Sequence, residues 1–197
     1  MTMQRTTVIS LACAPAASVA FVILYIMAVS EDPSYSVFDN YLSDLGVGPG
    51  AWAFNLGAAI SGCLLAVFAI GGTRTYFSNN SAVRAGAVLM SVSGGFLVGV
   101  GIFTENAGDT HLFMSYAFFV CAFLSMAVLA AGSVQFLRTF ADPFIILSFA
   151  SFAVVVSIVA AFGADPFAET VAVFVLLAWG FLAPLAISYR FTKRRVL

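Results

Sequence analysis

The side chains best able to do chemistry sit in two short stretches, VFDNYLSDLG (Val37–Gly46) and FTENAGDTHLFMS (Phe103–Ser115). The first supplies Asp39, Asn40, Ser43 and Asp44. The second supplies Glu105, Asn106, Asp109, the chain's only histidine, His111, and Ser115 one helical turn later. Carboxylates beside an imidazole are the material of general acid–base chemistry, with His111 or Glu105 as base and Asp44 as the group that orients it or holds a metal. Oxygen donors and one ring nitrogen also suit a hard divalent cation such as Ca²⁺, Mg²⁺ or Mn²⁺, held by Asp44, Glu105, Asp109 and His111; one histidine and no exposed cysteine disfavour zinc. The other reading is a polar lock whose groups satisfy one another, with Asp39 and Asp44 the wet side of a short helix. No HExxH, nucleophile elbow or phosphate loop occurs.

The elements that must position these residues follow from composition. Of 197 residues, 62% are hydrophobic and 9% charged, and the mean hydropathy is +1.05. Soluble domains carry roughly 25% charged residues, so the chain is an integral membrane protein. Six apolar runs are long enough to span: 7–29, 51–70, 82–103, 111–134, 144–162 and 170–189. The prediction is an all-α fold, a six-transmembrane-helix bundle forming a single membrane domain over residues 1–197. The first run is too long for a signal-peptide core and reads as a retained helix, bent at Pro15. Gly71-Gly72, Asn79-Asn80, Asp142-Pro143 and Asp165-Pro166 punctuate the runs as stops and caps, and Asp109 or Thr110 can cap the fourth.

Charge is segregated along the chain. The eight basic residues, Arg5, Arg74, Arg84, Arg138, Arg190, Lys193, Arg194 and Arg195, fall at the termini and in the loops after the second and fourth runs. The positive-inside rule assigns that side, with both termini, to the cytoplasm of a plasma (cell) membrane. Of nine acidic residues only Asp142 shares it, which leaves the opposite face acidic. The C-terminal YRFTKRR reads as a stop-transfer signal, or else as a basic patch for lipid head groups. No charge lies mid-span, which argues against an ion pump or coupled transporter. Cys13, Cys63 and Cys121 lie in apolar runs and behave as small apolar residues. Membrane lipids are the expected partners and nucleic acid is not one. Gly95 and Gly99, at GxxxG spacing, offer either internal packing or an oligomer face toward another membrane protein.

The first acidic-side loop is the only long one. At helical spacing Val37, Phe38, Tyr41, Leu42 and Leu45 share one face and Asp39, Asn40, Ser43 and Asp44 the other, which predicts an amphipathic interfacial helix ended by Gly46. Beyond it Trp52 marks the interface, and Asn55 carries an amide into lipid where it needs a partner.

NYLSDLG, FNLGAAISG, GIFTEN and HLFMSYAFF together resemble the prokaryotic membrane proteins grouped as domain of unknown function 998. The resemblance covers most of the chain and implies importance for Ser43, Asp44, Gly46, Asn55, Gly101, Phe103, Glu105, His111 and Ser115. The S-D-x-G loop is more distantly similar to that of eukaryotic six-span autophagy modulators and GPI-anchor remodelling proteins. Two function classes remain open. One is a structural or binding role, in which Asp39, Asn40, Ser43, Asn55, Asn106, Asp109 and Ser115 hold a lipid head group or partner. The other is a hydrolase or transferase acting on an outer-leaflet lipid-linked substrate through His111, Glu105 and Asp44.

Overall fold

Backbone N–H and C=O groups in lipid have no water to bond, so each apolar run must satisfy them within its own helix. The computed structural model describes residues 5–73 and 80–193, and six of its helices are long and apolar enough to cross a membrane. These are α1 (Arg5–Glu31), α2 (Ala51–Val67, continued by a π-helical turn, Phe68–Thr73), α3 (Ser81–Ile102), α4 (Asp109–Leu137), α5 (Pro143–Phe162) and α6 (Pro166–Lys193). Arg74, Asn79, Arg194 and Arg195 lie outside the described residues.

Most of the expected caps are present. The side chains of Asn80, Asp142 and Asp165 accept from Val83, Phe144 and Ala168 backbone N–H, and Pro143 occupies the first turn of α5. One expectation fails: the N-cap of α4 is Gly108, at φ 56°, and neither Asp109 nor Thr110 caps the helix. The second span runs to Gly72, and a bare Cα at Gly71 is what lets Ser10 of α1 approach.

The helices form a ring in chain order, each packed on its neighbours, with α6 closing against α1. Without a hydrophobic drive between helices in lipid, small residues and polar bonds hold such seams. Ser18 donates to Leu177 O, Ser61 to Ala17 O, Ser91 to Ala66 O, Ser93 to Phe118 O and Ser125 to Gly86 O. The fully buried Trp179 of α6 donates to Ser148 of α5 at 2.9 Å and packs edge-on against Phe68. Four of the six seams thus carry a hydroxyl–carbonyl bond and α5–α6 an indole–hydroxyl bond. Among the described residues, no side-chain hydrogen bond joins residues 109–124 of α4 to 152–162 of α5.

Between α2 and α3 the backbones touch. A methyl group on Gly62 would strike Gly94 O, and one on Gly94 would sit 2.5 Å from Gly62 O. The small-residue contact between these two helices uses Gly62 and Gly94 rather than Gly95 and Gly99. Gly99 is buried under Met114 of α4, while Gly95 opens to the outside. Four helical positions advance the face by about 40°, enough here to put the two glycines in different surroundings.

Helix α5 is seated unevenly. Its buried residues are Phe144, Ile145, Ser148, Ser151 and Val155; from Val156 to Phe162 none is buried. The half near the acidic face therefore stands away from the ring.

The first acidic-side loop is also a correction in detail. The predicted nine-residue amphipathic helix is a set of turns followed by a five-residue 3₁₀ helix, Leu42–Gly46. At three residues per turn, Leu42 and Leu45 fall on one side and both are buried. Ser43, expected on the wet face, is buried too, whereas Phe38 is 70% exposed and stacks on Phe167. Gly46 lies within this helix rather than after it. Its need is for room, since a Cβ would sit 2.8 Å from Asn55 Oδ1.

Gly94→Val is expected to force α2 and α3 apart at a cost of about 1–3 kcal/mol, lowering Tm by several degrees in a detergent thermal melt. Gly95→Val, in open space, should leave Tm nearly unchanged.

Candidate functional site

The 3₁₀ helix is held over the acidic end of the ring by four bonds to four elements. Tyr41 Oη donates to Ala164 O in the α5–α6 turn at 3.0 Å. Leu42 N–H donates to Glu169 Oε2 of α6 at 2.7 Å. Ser43 Oγ donates to Glu105 Oε1 in the α3–α4 turn at 2.8 Å, and Asn55 Nδ2 of α2 donates to Gly46 O at 3.0 Å. The polarity of VFDNYLSDLG is thereby accounted for. A short loop crossing the end of a helix ring must find a bond for each buried polar group.

Behind this loop His111 is 4% exposed. Its Nδ1 lies 2.7 Å from Phe103 O and its Nε2 3.3 Å from Ser115 Oγ. A carbonyl only accepts, so Nδ1 carries the proton, and whenever the ring is neutral Nε2 accepts from the Ser115 hydroxyl. The group orienting His111 is thus the Phe103 carbonyl and not Asp44. Asp44 instead accepts from Asn40 Nδ2 at 3.3 Å and lies within hydrogen-bonding reach of Glu105.

Tyr41, Ser43, Glu105, His111, Ser115 and Glu169 line one end of a cavity of about 830 Å³ between α4, α5 and α6. The rest of its wall is apolar but for the Tyr116 hydroxyl, from Leu112 down to Phe123, Leu124, Phe152 and Val155. From His111 to Leu124 it follows α4 for about 20 Å at 1.5 Å per residue. Val120, Val156 and Val159 on its rim are exposed, so it opens on the flank of the bundle where α5 stands away. A smaller cavity of about 50 Å³ shares Ser43, Ser115 and Glu169 and reaches inward to Ser61.

Of the predicted site residues, the structure brings Ser43, Asp44, Glu105, His111 and Ser115 together, with Asn40 bonded to Asp44. Asn55 does not line the large cavity; it anchors the loop, and its Oδ1 is buried without a partner. Asp39 bonds Ser36 on the exposed side of the loop, and Asn106 and Asp109 are exposed. Among the described residues no three His, Cys, Asp or Glu side chains are grouped to hold a metal ion, and the set Asp44, Glu105, Asp109 and His111 is broken up because Asp109 faces outward. Cys13, Cys63 and Cys121 are free.

Sequence reasoning missed Glu169, the Leu42 backbone N–H and the apolar groove. Glu169 reads as an ordinary acidic residue in a first helical turn, where the helix dipole favours it. The available signal was its neighbours: the small residues Ala168 and Ala172, one before it and three after, line the cavity with it.

Burial raises the Glu105 proton affinity above the ordinary value of 4.5, the neighbouring Asp44 adds to the rise, and Ser43 and His111 oppose it. The folded state thus holds this proton more tightly than the unfolded chain. Its contribution to stability is fully present below 4.5 and is lost as pH climbs to the raised folded value. Thermal melts across acid to neutral pH should show stability falling over that window, and Glu105→Gln should flatten the slope.

No curated protein and no solved structure matches the chain. The family model for a protein of unknown function (DUF998) matches residues 15–187, a stretch that takes in nearly all of the six helices and both polar loops. The helix ring and its acidic mouth are therefore carried by a chain that belongs to the DUF998 family.

Proposed function

We propose that this protein binds a membrane amphiphile, with the head group at the acidic mouth and an apolar chain along the α4–α5–α6 groove. The observation that carries the reading is the cavity itself. Its volume of about 830 Å³ lies in the range of ligand sites, its polar groups gather at one end, and its body is apolar. Its length along α4, about 20 Å, compares with one leaflet of a hydrocarbon core roughly 30 Å thick. The flank opening supports entry from the bilayer rather than from water. We take the basic helix ends as cytoplasmic by the positive-inside rule, so that the head group belongs to the outer leaflet of the cell membrane. The hydrogen-bonded loop then has a structural part to play as the roof of the site.

A second reading is favoured by one contact, the Ser115 hydroxyl facing His111 Nε2 on the cavity wall. His111 would take the Ser115 proton as the hydroxyl attacks an ester of the bound amphiphile, and return it to the departing alcohol. A fluorophosphonate probe that labels the wild type but not Ser115→Ala would establish this role; absence of labelling leaves binding alone.

Ala160, on the exposed side of the cavity wall, gives the test of the first reading. Native mass spectrometry of the purified protein should detect a co-purified lipid on the wild type, and Ala160→Trp, which fills the groove, should remove it with the fold intact. Equal lipid on both would sink the proposal.

A further inference from the structure

We infer that the mouth of the groove selects an amphiphile with a protonated amine head and rejects one with a phosphate head. This deepens the reading above and rests on the groove being a ligand site. The argument is a count of donors. Among the described residues the polar hydrogens with an assigned partner at the mouth are spent within the protein, and the Tyr116 hydroxyl, beside Ser115 in sequence, is the side-chain donor left over on the wall. Tyr41 Oη–H goes to Ala164 O, Leu42 N–H to Glu169, Ser43 Oγ–H to Glu105, His111 Nδ1–H to Phe103 O, and Ser115 Oγ–H to His111 Nε2.

The rest of what faces the cavity is acceptor capacity: the second oxygen of Glu169, and lone pairs on the Tyr41, Ser43 and Ser115 hydroxyls. An anionic phosphate accepts hydrogen bonds and donates few, so beyond the Tyr116 hydroxyl it would meet acceptors and carboxylates of its own sign. Among the described residues no Lys or Arg lines the cavity. An ammonium group brings donors and a positive charge, and it supplies the partner that a carboxylate withdrawn from water requires. The apolar groove accounts for the chain, and the donor count accounts for the head.

The test compares three probes that share one chain and differ in the head: hexadecylamine, hexadecanol and hexadecyl phosphate, titrated into the full chain in nanodiscs and read by thermal shift. The amine should bind at least about tenfold more tightly than the alcohol, the ratio separating a charge-assisted hydrogen bond from a neutral one. The phosphate should show no saturable shift.

Glu169→Gln keeps an acceptor for Leu42 N–H while removing the charge, and should bring amine and alcohol to the same Kd. Glu105→Gln serves as a second charge-removing variant should Glu169→Gln fail to fold, and should narrow the amine preference. Phosphate binding equal to that of the amine, with Ala160→Trp still blocking both, would overturn the head-group inference and leave the groove reading standing. Equal shifts for all probes on wild type and Ala160→Trp would overturn the groove reading itself.

Discussion

The bond from Leu42 N–H to the Glu169 carboxylate, 2.7 Å long, governs the acidic face. A backbone donor at the end of a helix ring has no water to fall back on once it is buried, and an orphaned N–H costs about 1–3 kcal/mol. Glu169 satisfies it and so draws the 3₁₀ helix across the mouth. That position brings Ser43 to Glu105 and Tyr41 to Ala164, each bond made possible by the others. Among the described residues the same carboxylate has no basic residue beside it in the cavity wall, and its uncompensated acceptor is the feature from which a head-group preference can be argued.

Uneven packing of the ring does the rest. Five seams are tied by side-chain hydrogen bonds, and Gly62 with Gly94 draws α2 and α3 into backbone contact. Trp179 anchors the half of α5 nearer the basic side through Ser148, while the half beyond Val155 buries nothing. A helix held firmly at one end and left free at the other opens a wedge beside it. The large cavity occupies that wedge, with the polar loop as its roof.

His111 illustrates how neighbours decide what a residue can do. Its proton position is set by the Phe103 carbonyl, which leaves Nε2 as an acceptor toward Ser115. Asp44, expected to orient it, is instead occupied with Glu105 and Asn40, and Glu105 with Ser43. Acid, base and hydroxyl are all near the cavity, but they are wired in two separate chains.

Composition and charge order alone determined the six helices, the acidic and basic ends, and most of the polar residues gathered at the mouth. Those properties are local: about twenty apolar residues must become a helix in lipid, and polar groups in an apolar chain must collect where they can be satisfied. Only the tertiary structure decided that Asn55 serves the loop, that Asp39, Asn106 and Asp109 face away, and that Glu169 belongs with Ser43 and Glu105. Those outcomes depend on pairings across 62 and 127 residues of chain. They also depend on a helix period of three rather than 3.6 in the loop, and on where α5 parts from the ring. A groove is space left between elements, and no residue type encodes it by itself.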